Sequence, residues 1–400
     1  MQDYDTTFKV NSAVIKVVGV GGGGGNAINS MIESNVSSAK FVAVNTDSQA
    51  LLRSKAEERI QIGEVKTKGL GAGSDPSVGQ EAAEESKDEL NRMLEGTDLL
   101  FIAAGMGGGT GTGAAPVIAR LAREKNILTV AVVTKPFGFE GKVRNKNAND
   151  GIENLRKYVD TLVIIPNDKL LQYLNEEVSI LEAFKIADDM LKQGIIGIVD
   201  LIDTSSLINL DFADVNTIMR NQGLAHMGIG RAKGEKRVIE AVRQAVSSPL
   251  LETTIEGAKS VILNVTGGRD LKLSEVREAA SLIQGIIDES ANIIFGATID
   301  ENINEEIKIT VIATGFISLQ EKEEKIERQR IEEIKPVLQF RNVEEEKVVP
   351  VEMAKPEIVE QNPTVEETAV EEKQIVFDDE PMESEKKRLP KFMEKLFGKK

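Results

Sequence analysis

The sequence predicts an α/β protein: a Rossmann-like parallel-sheet domain, a long central helix, a smaller α/β C-terminal domain and a disordered acidic tail. Three observations carry this. Short β-rich apolar runs alternate with helical patterns over the first two hundred residues, one stretch around residue 190 is apolar almost all round, and glycine and charge are redistributed after residue 320. At 400 residues the chain exceeds one ordinary core, so two folded domains are expected.

Taken in order, apolar runs at 14–20, 41–45, 99–103, 128–133 and 161–165 read as strands, with helical patterns such as 26–34 and 114–125 between them. Short apolar strands separated by helices signal a parallel sheet covered on both faces. Residues 178–203 then read as one long buried helix, although Gly194 and Gly197 weaken that pattern. A second unit follows, with strands at 261–265, 293–298 and 307–313 and helices at 231–247 and 274–290. Beyond residue 320 there is one glycine of the 34 but six of the eleven prolines, and residues 321–385 hold 21 acidic against 9 basic side chains. Such a stretch buries too little apolar surface to offset its chain entropy. The expected division is 1–13, a flexible N-terminal extension; 14–177, the parallel-sheet domain; 178–203, the central helix; 204–320, the C-terminal domain; 321–385, a disordered linker; and 386–400, a basic peptide.

Composition excludes several classes. With no cysteine and a single histidine, His226, disulfides, thiolate metal sites and histidine-rich metal clusters are out, and a reducing, cytoplasmic setting fits. Nowhere do about 18 apolar residues run together, and the first five residues are too acidic for a signal peptide. A formal charge of −16 argues against a broad nucleic-acid surface.

Two glycine loops carry the chemistry. Gly19-Val20-Gly21-Gly22-Gly23-Gly24-Gly25-Asn26 follows the first strand and opens a helix, where free amides and small residues let a backbone approach an anion. Taken alone it satisfies a dinucleotide fingerprint, with Asp47 after the second strand as a ribose acceptor. Gly105-Met106-Gly107-Gly108-Gly109-Thr110-Gly111-Thr112-Gly113 is the second, with six glycines in nine residues at the end of another strand. Two facing loops suit a nucleotide di- or triphosphate held by many amides, and no P-loop lysine motif exists in the chain. A third turn, residues 69–76, is placed to close over the terminal phosphate.

The run Gly-Gly-Gly-Thr-Gly-Thr-Gly at 107–113 resembles the signature of the tubulin-type GTPases. With Val44-Asn45-Thr46-Asp47, residues 136–141 (PFGFEG) and residues 209–214 (NLDFAD), the chain is similar to the bacterial cell-division FtsZ family from about residue 15 to 316. The resemblance makes residues 14–177 a GTP-binding domain and implies a GTPase polymerising into division-ring protofilaments. It implies that Gly22, Gly23, Gly24, Gly25, Asn26, Gly107, Gly108, Gly109, Thr110 and Gly111 hold phosphates. Asp47, Ala72, Gly73 and Asn167 are also implied at the nucleotide, and Glu140 and Arg144 at its ribose and phosphates. Phe184 would stack on the base while Asp188 accepts from the guanine N1–H and amino group. The two are four residues apart, on one helix face. Mg²⁺ is implied at the phosphates, without an all-protein cage. Ser74-Asp75 stands where the family commonly has Ala-Asn, adding a negative charge near that turn. The loop residue His226 is expected at a surface or interface.

Asp211 and Asp214 precede a helical pattern at 215–221 and read in two ways. One is an N-cap with an acidic first turn. In the other, with Asn209, they polarise the water that attacks a γ-phosphate. Asp188 and Asp203 lie 15 helical residues apart, roughly 22 Å, whereas water attack needs contacts of about 3 Å. The acid pair therefore either has no catalytic role or serves the nucleotide of a neighbouring copy, a head-to-tail contact that propagates as a filament. A dinucleotide-dependent oxidoreductase and a non-hydrolysing nucleotide scaffold remain the alternatives.

At the end of the chain, Leu389, Phe392, Met393, Leu396 and Phe397 share one helical face flanked by lysines. Leu389-Pro390-Lys391-Phe392-Met393 resembles the Pro-aromatic core through which the family binds membrane tethers and division regulators. The last seven residues depart from the usual short basic ending. The resemblance implies a cytoplasmic protein at the mid-cell division site.

Overall fold

The computed structural model describes residues 13–316, apart from 35, 37, 172–177, 203–210, 249–254, 256, 289, 301 and 302. The N-terminal extension, the acidic linker, Asn209 and the peptide from Leu389 to Phe397 lie outside the described residues.

The first half runs β1 (Ile15–Val20), α1 (Gly21–Glu33), β2 (Lys40–Asn45), α2 (Ser48–Leu52), β3 (Glu58–Gln61), α3 (Glu64–Thr67), α4 (Pro76–Glu85), α5 (Lys87–Met93), β4 (Leu99–Gly105), α6 (Thr110–Glu124), β5 (Leu128–Lys135), a 3₁₀ turn (Gly138–Glu140), α7 (Lys142–Arg156), β6 (Thr161–Pro166), α8 (Asn167–Leu171) and α9 (Ile180–Ile202). Then follow α10 (Phe212–Met219), β7 (Gly223–Lys233), α11 (Arg237–Val246), β8 (Ser260–Gly267), α12 (Leu273–Gln284), β9 (Asn292–Ile299) and β10 (Glu306–Thr314). No helix among the described residues is long and apolar enough to cross a membrane.

Strands β3-β2-β1-β4-β5-β6 lie side by side and parallel. This is the doubly wound order, whose direction of winding reverses between β1 and β4. Every residue of β1 is buried, because side chains alternate between two covered faces. Val17, Phe101 and Val130 join the core under α1 and α9. Val18, Ile102 and Ala131 join the core under α4, α5 and α6. Beyond β6 the order continues β7-β10-β8-β9. Residues 223–225 of β7 pair in parallel with β6, and from His226 onward β7 pairs antiparallel with β10. Mixed pairing in this second half contrasts with the wholly parallel first half.

The long central helix forms as expected, and its two glycines are contact points rather than breaks. A Cβ on Gly194 would stand 3.2 Å from the Met227 side chain, and one on Gly197 would stand 3.0 Å from Thr310 Cγ2. Three local readings differ from the structure. Helix α1 begins inside the glycine run, since a Cβ on Gly24 would stand 2.2 Å from Ala103 O and only glycine lets it pack so closely on β4. The segment holding His226 is a strand, not a loop, and His226 is 4% exposed with its ring 4.5 Å from that of Phe316. A surface role for His226 is therefore corrected to a core one. Glycine hid this strand: at Gly228 and Gly230 a Cβ would fall 2.0 and 1.9 Å from the carbonyls of Ala245 and Ala241, so α11 rests directly on the β7 backbone. The predicted helix at 231–247 accordingly starts later, at Arg237.

Candidate functional site

Both glycine loops emerge at the carboxyl ends of β1 and β4, at the switch point where open α/β sheets bind ligands. They pack backbone against backbone. A Cβ on Gly21 would meet Gly111 N at 2.9 Å, and one on Gly23 would meet Gly105 Cα at 3.3 Å. The Thr46 and Thr110 hydroxyls hydrogen-bond at 2.7 Å, tying the end of β2 to the start of α6. The third turn closes over the second loop, with Ala72 Cβ and Asp75 O against Gly109.

Two adjoining cavities result, of about 300 and 400 Å³, sharing Gly22, Asn26 and Thr110. The smaller is lined on the phosphate side by Gly23, Gly108, Gly109 and Gly111, and on the other by Glu140, Arg144, Asn167, Phe184 and Asp188. The larger is lined by Gly25, Asp47, Gly71 and Arg53 among others. Of the predicted residues, Gly24 faces β4, Gly107, Ala72 and Gly73 line neither cavity, and Ala72 stands against Gly109 instead. Asp47 is also occupied as the N-cap of α2, accepting from Gln49 N and Ala50 N. Lining residues missed in the sequence include Thr134, Pro136 and Arg53. The first two were findable, since Thr134 lies near the carboxyl end of β5 and Pro136 follows that strand, which pairs with the strand leading into the second glycine loop. A larger cavity of about 470 Å³ between α4, α6 and α7 contains none of the predicted residues.

The electrostatics of the smaller cavity are uneven. Asp188 is partly buried with no compensating charge, and desolvation pushes its carboxyl up to about 6. Buried Asn167 Oδ1 has no hydrogen-bond partner among the described residues, an acceptor awaiting a donor. Phe184, 40% exposed, is held edge-on by the buried ring of Phe137 at 5.3 Å, which also stacks on Phe139. At the mouth, Glu140 accepts from Phe137 N and pairs with Arg144 at 3.0 Å. Two acceptors and an aromatic face at one end, with bare amides at the other, suit a purine with hydrogen-bond donors joined to phosphates. Asp75, the departure noted in the third turn, spends its carboxylate on Ser77 N and Oγ as the N-cap of α4.

The acid pair stands elsewhere. Asp211 caps α10, accepting from Asp214 N at 2.8 Å. Helix α10 is anchored by the hydrogen bond from Thr161 Oγ1 to Met219 O. Thr161 is the first residue of β6, whereas Asn167 of the cavity follows its last, so the two sites lie at opposite poles of the sheet. The described residues contain no group of three or more His, Cys, Asp or Glu side chains able to hold a metal. Beside the amides the lining carries the Thr110 hydroxyl, the side-chain amides of Asn26, Asn29 and Asn45 and the Asp47 carboxylate. That set fits a Mg²⁺ carried mainly by phosphates and water.

Comparison with known proteins gives the family. Residues 14–175 match the model of the Tubulin/FtsZ family GTPase domain, and residues 223–317 match the FtsZ family C-terminal domain. An empty FtsZ dimer from M. jannaschii is 47% identical with a TM-score of 0.74, covering 77% of this chain and 89% of that one. A point mutant of M. jannaschii FtsZ gives the same identity and TM-score, over 76% and 92%. CetZ2 from Haloferax volcanii, solved as a GTPγS-bound protofilament, shares the fold at 21% identity and a TM-score of 0.66, over 81% and 99%. The chain therefore belongs to the tubulin/FtsZ family, in its FtsZ branch, and is a guanine-nucleotide-binding GTPase.

Proposed function

We propose that GTP fills the adjoining cavities and that GTP-loaded subunits stack head to tail, so that the acid loop of one completes the site of the next. The base lies on Phe184 with its N1–H and amino group donating to Asp188. The phosphates lie over the amides of 22–26 and 108–111. One observation carries the assembly: the cavities sit at the carboxyl ends of the strands and the acid pair at the amino ends. Within one subunit these poles are separated by the length of the sheet and of α9, and 23 residues of helix span roughly 34 Å. Contact between unlike poles is heterologous and extends into a filament.

Exposed apolar side chains support the junction. Leu52, Leu70, Phe139, Val143, Ile180 and Leu181 are each more than 60% exposed and belong to segments around the nucleotide pole. Such a concentration marks an interaction surface. Opposite, Asp211 uses one oxygen as an N-cap and leaves the other, with the whole Asp214 carboxylate, unbonded among the described residues. These oxygens orient and polarise the attacking water, Asn209 assists, and the loop amides steady the charge on the transferring phosphoryl group. A bound Mg²⁺ supplies neutralisation of the phosphate oxygens. The N-cap reading stands beside this one, because the cap is present.

Phosphate release measured across protein concentration tests the proposal. Turnover per subunit rises steeply where light scattering reports assembly. A flat profile through that threshold overturns it. Adding Asp214→Ala subunits to wild type lowers turnover more than in proportion, whereas a mere first-turn role lowers stability alone. Through residues 389–397 the filament is held to membrane tethers and division regulators at a mid-cell ring. Deleting residues 386–400 therefore disperses a fluorescent fusion from midcell while leaving GTP turnover intact, and a ring that persists refutes this.

A further inference from the structure

Not every amide of the second glycine loop faces the cavity. Met106 N donates to Thr134 O at 2.9 Å, and Gly107 N donates to Thr112 Oγ1 at 2.8 Å. Gly107 itself is held at φ +102, and a Cβ there would stand 2.7 Å from Arg144 O. The loop therefore leaves the strand tied at two points: Gly105 and Met106 line the cavity before the second tie, and Gly108, Gly109, Thr110 and Gly111 line it after.

Thr112 is 3% exposed, lies in the first turn of α6, and does not line either cavity of the nucleotide site. Its methyl group is wedged from the far side by α7. A Cβ on Gly151 would fall 2.3 Å from Thr112 Cγ2 and 2.9 Å from Met106 Cε. Glycine inside a helix costs about 1 kcal/mol relative to alanine, so this contact gives Gly151 a reason to be there. Threonine is stiff about χ1. Fixing the methyl against Gly151 thereby fixes the hydroxyl against Gly107.

We infer that Thr112 is a positioning residue for the phosphate loop, and that Gly151 on α7 holds it in the rotamer that shapes the loop. This rests on the reading that residues 108–111 bind phosphate. Neither residue touches the nucleotide. Movement of α7 against α6 is transmitted to the loop through Thr112, beside the direct contact of Arg144 with Gly107. Arg144 and Glu140 at the cavity mouth border the same helix, so α7 meets the nucleotide site both directly and through Thr112.

Four variants test this: Thr112→Val, Thr112→Ser, Gly151→Ala and the pair Gly151→Ala with Thr112→Ser. GDP affinity is read by titration below the assembly concentration, with thermal melts of the nucleotide-free protein alongside. Thr112→Val keeps the shape but frees Gly107 N–H, and weakens GDP roughly 5- to 30-fold, within the range for a buried donor left unpaired. Thr112→Ser keeps the hydroxyl and stays within about threefold. Gly151→Ala displaces the Thr112 methyl and weakens GDP comparably, although Gly151 itself lines neither nucleotide cavity. The pair restores affinity to within about threefold, because serine lacks the clashing methyl and Met106 Cε ends a flexible chain. The inference is overturned by a Thr112→Val protein that binds like wild type, by equal losses in valine and serine, or by failed rescue in the pair. Should Thr112→Val not fold, the Gly151→Ala rescue decides alone. A wild-type protein that binds no GDP refutes the site reading instead.

Discussion

Asp188, proposed above to accept from the base, is costly to bury as a charge, and Asp188→Asn measures the exchange between stability and binding. In the nucleotide-free body, burial without a partner raises this carboxyl from 3.8 to about 6. At 1.36 kcal/mol per pH unit, the charged form costs the folded state up to about 3 kcal/mol. Partial solvent access reduces this to about 1–2 kcal/mol. The sign follows from linkage. Between the two values the folded state binds a proton that the unfolded state does not, so stability falls as pH rises from about 4 to 6 and stays low above that. Asparagine has nothing to ionise. Asp188→Asn is thus expected to stabilise the nucleotide-free protein by about 1–2 kcal/mol at pH 7.5, with the gain shrinking as pH falls from 6 toward 4. GTP affinity moves the other way, dropping at least tenfold, because a charge-assisted acceptor for two donors is lost. Urea unfolding at stepped pH, paired with GTP titration at pH 7.5, gives both quantities. An asparagine variant no more stable than wild type at pH 7.5, or a gain that does not depend on pH, refutes the reasoning.

Other outcomes follow from particular contacts. Arg237 is nearly buried, bonding Asp270 at 2.6 Å and Glu275 at 2.7 and 2.9 Å, which joins α11 to α12. Arg237→Ala should cost about 2–4 kcal/mol in urea unfolding by stranding Glu275; no loss would show the cluster to be solvated. The arginine holds the Glu275 and Asp270 carboxyls below their usual range, so its stabilisation is present at neutral pH and is lost as acidification protonates them. Gly230→Ala places a Cβ 1.9 Å from Ala241 O, and should lower stability by 3 kcal/mol or more on the order of severe core overpacking; a wild-type melting curve would contradict the β7–α11 contact. Ser74 sits at φ +64 in the third turn, so Ser74→Gly should stabilise by about 0.5 kcal/mol; a loss would mean the hydroxyl has a partner.

Much of the site was legible because its chemistry is local. A run of glycines ending a β-rich segment has few uses, since only a close approach or an unusual φ justifies the entropy of ordering it. Phe184 and Asp188 share a face through helical spacing alone. Five of the six strands of the first domain were found because burial on both faces leaves continuous apolar runs, whereas the edge strand β3, in which Ile60 is the one buried residue, leaves no such run. The strand holding His226 was not found, because Gly228 and Gly230 answer to α11, an element the local pattern does not contain. The same holds for Gly194 and Gly197, which read as helix weakeners until Met227 and Thr310 are placed against them.

By itself, then, the sequence determined the alternation of strand and helix, the two glycine loops and the shared helix face of Phe184 and Asp188, all set by backbone conformation and by spacing of 2 or 3.6 residues. Only the tertiary structure decided which amides are free to meet a phosphate, that Asp75 and Asp47 are spent on helix caps, and that Asp188 is costly to ionise. Those properties depend on which groups are brought close across long stretches of chain and on how much water remains beside them, neither of which is encoded at any single position.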